Sequence, residues 1–180
     1  MNRVLACDVG FLHMAWIVID DDQPIACDCI HTDKVKRGEH ESVAAYNARR
    51  CAIIAVALSE VRRWAQPAQI VLETPTGGSQ NASSARCMAM ATAIAATVFR
   101  NHECHWMKPE RTKDAAKAAC LVAWPDFAWP KLERDAQHIF DSGSCYLLFR
   151  KWELQGCPLP ESKPRKKRKT CKKKVPNGIV

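Results

Sequence analysis

The chain has 180 residues, a length that suits one compact domain with a short appendage and argues against two full domains. Apolar residues make up 47% of it, which is enough for a hydrophobic core and excludes wholesale disorder. The net charge of +8 lies at one end. Residues 161–180 contain nine Lys or Arg and one Glu, whereas the other 160 residues contain eighteen charges of each sign. We therefore expect a charge-balanced folded domain over residues 1–156 and a basic, disordered tail over residues 157–180.

The apolar segments and the cysteines indicate a reduced, intracellular chain without a membrane partner. No stretch reaches the roughly 18 apolar residues of a membrane span, and the apolar run at residues 1–10 contains two charges that a secretory signal would lack. The ten cysteines are scattered, several of them in apolar segments, and no Cys-x-x-Cys pair occurs. Two segments come nearest to a zinc site but lack paired ligands at the usual spacing: Cys27-x-Cys29 and His102-x-Cys104-His105.

The first third of the chain predicts an antiparallel meander followed by a long helix. Three short apolar or β-branched runs separated by turn signals lie at residues 3–7, 15–20 and 25–31. The turn between the second and third runs is expected over residues 20–24, an Asp-rich segment that ends in Pro. The helical pattern begins at Ser42 and is ended by Pro67.

Strands and helices alternate through the rest of the domain. We expect strands at residues 70–72 and 103–107, and helices at residues 82–100, 112–119 and 133–151. The resulting order, β-β-β-α-β-α-β-α-α, is typical of an α/β layer architecture with a mixed sheet covered by helices.

Two sets of side chains are expected to have ordinary structural roles. The arginines of the long helix are expected to form a solvated face rather than a DNA-binding stripe; they are Arg49, Arg50, Arg62 and Arg63. Trp124 and Trp129 are expected in the core or an interface rather than as platforms on which bases stack.

Carboxylates stand where two predicted strands end. Asp8 ends the first strand and Glu73 ends the strand at residues 70–72, so adjacent parallel strands would bring both to one edge of the sheet. In the last helix, His138 and Asp141 are three residues apart and face the same way. A helix packed beside the sheet edge can therefore add both side chains to the two carboxylates.

Each of these residues also has a plain structural interpretation. Asp8 precedes a glycine and could form a turn, Glu73 could be a cap or loop acid, and the helical pair could be solvated. Their joint order favours a functional site. Clustered carboxylates raise each other's pKa unless a cation neutralises them, and hard oxygen ligands suit Mg²⁺ or Mn²⁺. Two such ions about 4 Å apart commonly hydrolyse phosphodiesters.

The same residues resemble a known family. Residues 4–10 and 15–20 resemble the opening hairpin of RuvC-type Holliday junction resolvases, which belong to the RNase H-like superfamily and include a viral and mitochondrial branch. Residues 70–75 are similar to the second acidic motif of that family, and residues 138–142 to its closing motif. The resemblance spans residues 3 to about 150 and departs where His138 replaces an acid that many relatives carry.

The resemblance implies an RNase H-like five-stranded sheet and a crossover junction endodeoxyribonuclease that acts in DNA recombination and repair. Asp8 would bridge two ions, either Mg²⁺ or Mn²⁺, while Glu73 and Asp141 would each hold one of them. His138 would be a further metal ligand or a proton carrier. The products would carry 5′-phosphate and 3′-hydroxyl ends. Paired cleavage of a two-fold four-way junction also implies a homodimer.

Two basic segments are candidates for binding nucleic acid. The first resembles the basic segment of the family and contains Lys108, Arg111, Lys113 and Lys117. The second, in the tail, contains Arg165, Lys166, Lys167, Arg168 and Lys169. The tail resembles a nuclear import signal, would equally bind phosphates by releasing counterions, and could also be a solubilising end. We therefore expect an intracellular protein, nuclear if the tail directs import and cytoplasmic otherwise.

Three other functions remain open at the level of the sequence. One is an RNase H-like nuclease or exonuclease with another nucleic acid substrate, although residues 8–10 lack the Asp-x-Glu pair of proofreading exonucleases. A phosphotransferase would need several glycine-rich phosphate loops, and the chain has only seven glycines. A non-catalytic junction-binding protein would not need all four of the acidic and histidine positions.

Overall fold

The computed structural model describes residues 3–74, 81–108 and 112–156, which form a five-stranded sheet and four helices. The strands are β1 (Val4–Asp8), β2 (His13–Asp20), β3 (Gln23–His31), β4 (Gln69–Glu73) and β5 (Glu103–Met107). The helices are α1 (Val43–Ala65), α2 (Ala82–Val98), α3 (Lys113–Ala123) and α4 (Glu133–Leu154). The strand order is β3-β2-β1-β4-β5, with β1, β2 and β3 antiparallel and with β4 parallel to both β1 and β5. The predicted mixed sheet and element order are confirmed.

The turn between β2 and β3 is shorter than predicted. It contains only Asp21 and Asp22, which both adopt left-handed backbone conformations with φ of 48° and 63°. Two residues with positive φ suit a tight hairpin because their twist matches that of the flanking strands. Pro24 therefore lies inside β3 rather than in the turn, which is tolerated because β3 is an edge strand.

The helix boundaries agree with the sequence signals at α1 and differ elsewhere. Ser42 caps α1 by accepting a hydrogen bond from the Ala45 N–H, and Gln66 ends it in a left-handed conformation. The third helix continues four residues further than predicted, until Trp124 ends it before a proline, and α4 continues three residues further to Leu154. In contrast, α2 ends two residues early. No helix within the described ranges is long and apolar enough to cross a membrane.

The sheet is covered on both faces, which places β1 and β4 at the centre of the molecule. One hydrophobic cluster contains Leu5 and Cys7 with residues of α1 and α2, whereas the other contains Val4 and Ala6 with residues of α3 and α4. Alternate residues of β1 therefore face opposite cores. Trp124 is buried in the second core, as expected.

The expectation of a solvated arginine face is wrong for Arg50. This side chain is only 6% exposed. Its guanidinium donates two hydrogen bonds to Thr32 Oγ1, at 3.2 and 3.0 Å, and lies 4.3 Å from the centre of the Phe11 ring. The helix pattern could not reveal this, because the acceptor and the ring belong to segments that border β2 and β3.

Candidate metal centre

The carboxyl ends of β1 and β4 bring two predicted carboxylates to one edge of the sheet. The strands are parallel neighbours with Cys7 opposite Leu72, so Asp8 and Glu73 follow at adjacent positions. Both strands are buried along most of their length and pair with a neighbouring strand on each side, which gives the two side chains a rigid base. This juxtaposition is the one expected from the sequence.

Helix α4 is attached to the end of β1 through Ser142. The Asp8 N–H donates a 2.9 Å hydrogen bond to Ser142 Oγ, and this hydroxyl lies 3.1 Å from the His138 carbonyl oxygen, to which it can donate. The attachment places His138 Nδ1 2.8 Å from Asp8 Oδ2. One ligand atom each of Asp8, His138 and Asp141 then lies within 4.8 Å of the others, so these three residues could hold a metal ion.

Glu73 lies beside these three residues, and the negative charges of Asp8 and Asp141 shift its pKa. Its pKa is raised to about 9, first by burial, then by the negative charge of Asp8 and a hydrogen bond with it, and finally by Asp141. Its Oε2 atom is buried and has no hydrogen-bond partner. We refer to Asp8, Glu73, His138 and Asp141 together as the acidic group.

The other members of the acidic group show the same crowding. Burial and the charge of Asp8 raise the pKa of Asp141, although the hydrogen bond from Gln137 and the positive charges of His138 and Lys113 oppose the shift. The hydrogen bond to Asp8 raises the pKa of His138, although burial opposes it. The acidic group therefore holds more negative charge than its protein neighbours neutralise.

The predicted basic residues flank this edge where they are described. Lys113 is exposed in the first turn of α3 and acts electrostatically on both His138 and Asp141. Lys117 follows one turn later, beside a pocket that also includes Gln137. Lys108 is exposed directly after β5. Arg111 and the tail residues Arg165, Lys166, Lys167, Arg168 and Lys169 lie outside the described residues, as does the predicted tail at 157–180.

Three residues near the acidic group were not predicted from the sequence. Ser142 attaches α4 to β1, and Gln137 donates a 3.1 Å hydrogen bond to Asp141 Oδ1. The His13 ring stacks on the His138 ring with centroids 5.2 Å apart. His13 follows the tight turn at Gly10, where an added Cβ would lie only 2.1 Å from the His13 carbonyl oxygen, and its contact with His138 depends on the packing of α4 beside β2.

Within the described part of the chain, neither of the two segments nearest to a zinc motif supplies two of its own residues to one metal-ligand group. Cys29 lies with His31 and Asp135 rather than with Cys27. His102, Cys104 and His105 contribute to none of the metal-ligand groups found among the described residues.

Comparison with known proteins identifies the fold. No protein-family model matches the sequence, and no curated protein sequence matches it. Thermus thermophilus RuvC, in complex with a Holliday junction substrate, superposes with a TM-score of 0.65 at 15% identity, over 87% of this chain and 98% of that one. A second structure of the same protein gives a TM-score of 0.65 at 13% identity, over 86% and 97% of the two chains.

A eukaryotic structure is also similar. The yeast mitochondrial Holliday junction resolvase superposes with a TM-score of 0.53 at 11% identity, over 86% of this chain and 80% of that one. The chain therefore has an α/β fold of the RNase H-like class, in the form seen in RuvC. The resemblance to RuvC-type resolvases that the sequence motifs indicated is confirmed at the level of the fold.

Proposed function

We propose that this chain is a metal-dependent endonuclease that resolves four-way or other branched DNA junctions by hydrolysing phosphodiester bonds. One observation carries the proposal: three carboxylates and an imidazole converge at the carboxyl ends of β1 and β4, on a RuvC-like fold. A protein that bound DNA without cutting it would gain nothing from this cluster of carboxylates, because their negative charge repels phosphate.

The donor set of the acidic group fits hard divalent cations. Asp8, Glu73 and Asp141 offer carboxylate oxygens, and Glu73 Oε2 is a buried acceptor without a hydrogen-bond partner. Carboxylate oxygens are the ligands that Mg²⁺ and Mn²⁺ prefer. We infer that two such ions would be held here by Asp8, Glu73 and Asp141.

Ions bound at this group would supply positive charge that activates water and offsets the negative charge of the phosphate. The residues of the chain provide the rest. The hydrogen bond between His138 Nδ1 and Asp8 Oδ2 orients the Asp8 carboxylate. It leaves the second ring nitrogen of His138 to hold or transfer a proton, and the hydrogen bond to Asp8 raises the pKa of His138, which favours the protonated ring.

The basic segment predicted from the sequence would hold the DNA. We propose that Lys108, Arg111, Lys113 and Lys117 contact phosphates on either side of the cleaved bond. A junction has two-fold symmetry, so paired cleavage calls for a homodimer with two acidic groups.

Cleavage of a synthetic four-way junction tests this function directly. We expect symmetric nicks in Mg²⁺ or Mn²⁺, little cleavage of linear duplex of the same sequence, and none in EDTA. Faster cleavage of an RNA–DNA hybrid than of the junction would contradict the junction assignment. Tight junction binding without any cleavage, whatever the divalent ion, would make the chain a binding protein instead.

The tail has a separate proposed role. Residues 161–180 carry the whole net charge of the chain, so we propose that they supply long-range attraction to DNA. Truncation after Gly156 should weaken junction binding at low salt and flatten its salt dependence. Single-turnover cleavage at saturating enzyme should remain, and its loss in a folded dimer would place the tail in the active complex.

A further inference from the structure

A second cluster of metal-ligating side chains lies beside the acidic group and includes His13, whose ring stacks on that of His138. His13 and His31 are directly opposite each other in the β2–β3 pairing. Asp33 follows two residues after His31, and one ligand atom from each of the three residues lies within 4.8 Å of the others. We refer to His13, His31 and Asp33 as the histidine group.

We propose that the histidine group is a binding site for a transition-metal ion of the Zn²⁺ class, separate from the acidic group and independent of the proposed nuclease function. Two imidazoles and one carboxylate, with a further position open, form a common zinc ligand set. The site would be assembled by the β2–β3 hairpin, whose cross-strand pairing puts the two imidazoles on one face.

The distances within the histidine group match a tetrahedral ion. His13 Nε2 lies 3.1 Å from Asp33 Oδ2, and His31 Nδ1 lies 3.7 Å from Asp33 Oδ1. Two ligands held at zinc distances of about 2.0–2.1 Å in a tetrahedron lie roughly 3.3 Å apart. His13 Nε2 is buried and makes no hydrogen bond of acceptable geometry despite its nearness to Asp33. His13 Nε2 therefore points to one side of the Asp33 carboxylate, toward a position where both groups could bind one ion.

The hydrogen bonds of His31 set its tautomer for metal binding. Its Nε2 lies 3.1 Å from Asp135 Oδ2, whereas its Nδ1 lies 3.4 Å from a guanidinium nitrogen of Arg134. Arginine can only donate, so Nδ1 is the acceptor and Nε2 carries the hydrogen that Asp135 accepts. A carboxylate on the far nitrogen is the arrangement that supports most metal-bound histidines.

The segment that carries Asp33 is held in place from behind. Thr32 is fully buried, its hydroxyl donates to the Phe11 carbonyl oxygen, and it accepts two hydrogen bonds from the buried Arg50. Thr32 therefore points into the protein, whereas its neighbours on either side, His31 and Asp33, both belong to the histidine group. A buried arginine used in this way limits the freedom of the ligands before any ion binds.

Arg134 marks where the ion would go. Its guanidinium contacts Asp33 Oδ2 at 3.3 Å as well as His31 Nδ1, so one cation already touches two of the three ligands. The side chain is 47% exposed in the first turn of α4, and it can swing into solvent when an ion takes its place. Arg134 therefore competes with the metal, which gives the proposal an unusual test.

Titration with Co²⁺ as a spectroscopic stand-in for Zn²⁺ tests the site. The full chain would carry Asp8→Asn and Asp141→Asn, so that the acidic group no longer binds ions, and circular dichroism would verify its fold. We expect one Co²⁺ per chain, with visible d–d absorption and no thiolate-to-cobalt charge-transfer band. The wild-type chain in excess Mg²⁺ provides the same measurement without the substitutions, since Mg²⁺ prefers oxygen ligands and leaves imidazoles free.

Three further variants make the test specific. Asp33→Asn, at an exposed position, should weaken Co²⁺ binding by about 100-fold or more, since loss of even an outer partner of a metal ligand costs 10- to 100-fold. Arg134→Gln should tighten binding severalfold because the competing charge is gone. The matched control His40→Gln, an exposed histidine elsewhere, should change nothing.

Three results would overturn the proposal. Binding unaffected by Asp33→Asn would place the ion elsewhere. Weaker binding in Arg134→Gln would contradict an ion that replaces the guanidinium between Asp33 and His31. A thiolate charge-transfer band would assign the ion to the neighbouring Cys29, His31 and Asp135. None of these outcomes bears on whether the acidic group cuts DNA.

Discussion

The acidic group and the histidine group are neighbours, joined by the stacked rings of His138 and His13, yet the pKa values of their carboxylates shift in opposite directions. In the acidic group, burial and mutual repulsion raise the pKa values of Glu73 and Asp141. In the histidine group the pKa of Asp33 is lowered, because the nearby His13 ring and the positive charges of Arg134 and His31 outweigh its desolvation. The acidic group carries more negative charge than His138 and Lys113 offset, whereas the ligands of the histidine group are already contacted by the guanidinium of Arg134.

The surrounding secondary structure explains this contrast. The acidic group lies where two parallel strands end side by side, and the strand ends place carboxylates together without a cation between them. The histidine group lies where an antiparallel hairpin meets the first turn of α4, which supplies Arg134. The acidic group therefore needs an external cation for all of its carboxylates to be ionised, whereas an ion at the histidine group would have to displace Arg134.

The largest difference between the two groups should appear in catalysis. Asp8→Asn keeps the size of the side chain but removes the charge at the centre of the acidic group, so junction cleavage should fall on the order of 10⁴-fold while binding persists. Asp33→Asn makes the same chemical change in the histidine group and should alter cleavage less than about tenfold. Single-turnover rates in Mg²⁺ on one four-way junction measure both, and equal losses would contradict the division of roles.

The pH dependence of stability should also separate the groups. The folded pKa of Glu73 is raised from 4.5 to about 9, so the stability it allows is present below 4.5 and is lost as pH rises toward 9. Without divalent ions, the free energy of unfolding should therefore fall between about pH 6 and about pH 9, and Glu73→Gln should make that fall smaller. Urea denaturation in EDTA measures the free energy of unfolding of the wild type and of Glu73→Gln at each pH. The cysteines titrate in both proteins, so their contribution cancels in the difference.

Asp33→Asn is the control for this experiment. Its lowered pKa means that its stabilising contribution is present above the ordinary carboxylate range and is lost only as pH falls through the folded pKa. The slope between about pH 6 and about pH 9 should thus equal that of the wild type. A flatter slope in Asp33→Asn than in Glu73→Gln would reverse the electrostatic assignment.

Gly10→Ala should damage both groups at once. The added Cβ would lie 2.1 Å from the His13 carbonyl oxygen, and because backbone atoms must move, we expect a loss of about 1–3 kcal/mol in stability. The turn joins Asp8 to His13, so both junction cleavage and Co²⁺ binding should weaken. Gly38→Ala, where a Cβ would make an ordinary 3.5 Å contact, is the matched control and should affect neither.

The most local effect is expected from Ser142→Ala, which tests only the acidic group. Removal of the hydroxyl leaves the Asp8 N–H without its acceptor, at a cost of about 1–3 kcal/mol in the free energy of unfolding. Ser144→Ala is the matched control, because Ser144 is also buried but its hydroxyl bonds only the Asp141 carbonyl oxygen of its own helix. Ser144→Ala should cost less, and Co²⁺ binding at the histidine group should survive in both variants.

The residues of the acidic group could be predicted because their signals are local. Asp8 and Glu73 each follow a short apolar run, so the strand and its end are visible in adjacent residues. His138 and Asp141 are linked by helical spacing alone. Their order along the chain, together with the pattern of strands and helices, determines the fold and the edge of the sheet where they meet.

The formation of the histidine group and the position of Arg50 depend on contacts between elements that are distant in the sequence. His13 and His31 become neighbours through the register of the β2–β3 hairpin, which depends on a turn of two residues where the sequence indicated a longer one. Arg50 lies on a helix whose pattern marks it as exposed, and it is buried because Thr32 and Phe11 approach it from distant segments. Periodicity reports how each residue faces within its own element, whereas these contacts depend on how separate elements are placed against each other.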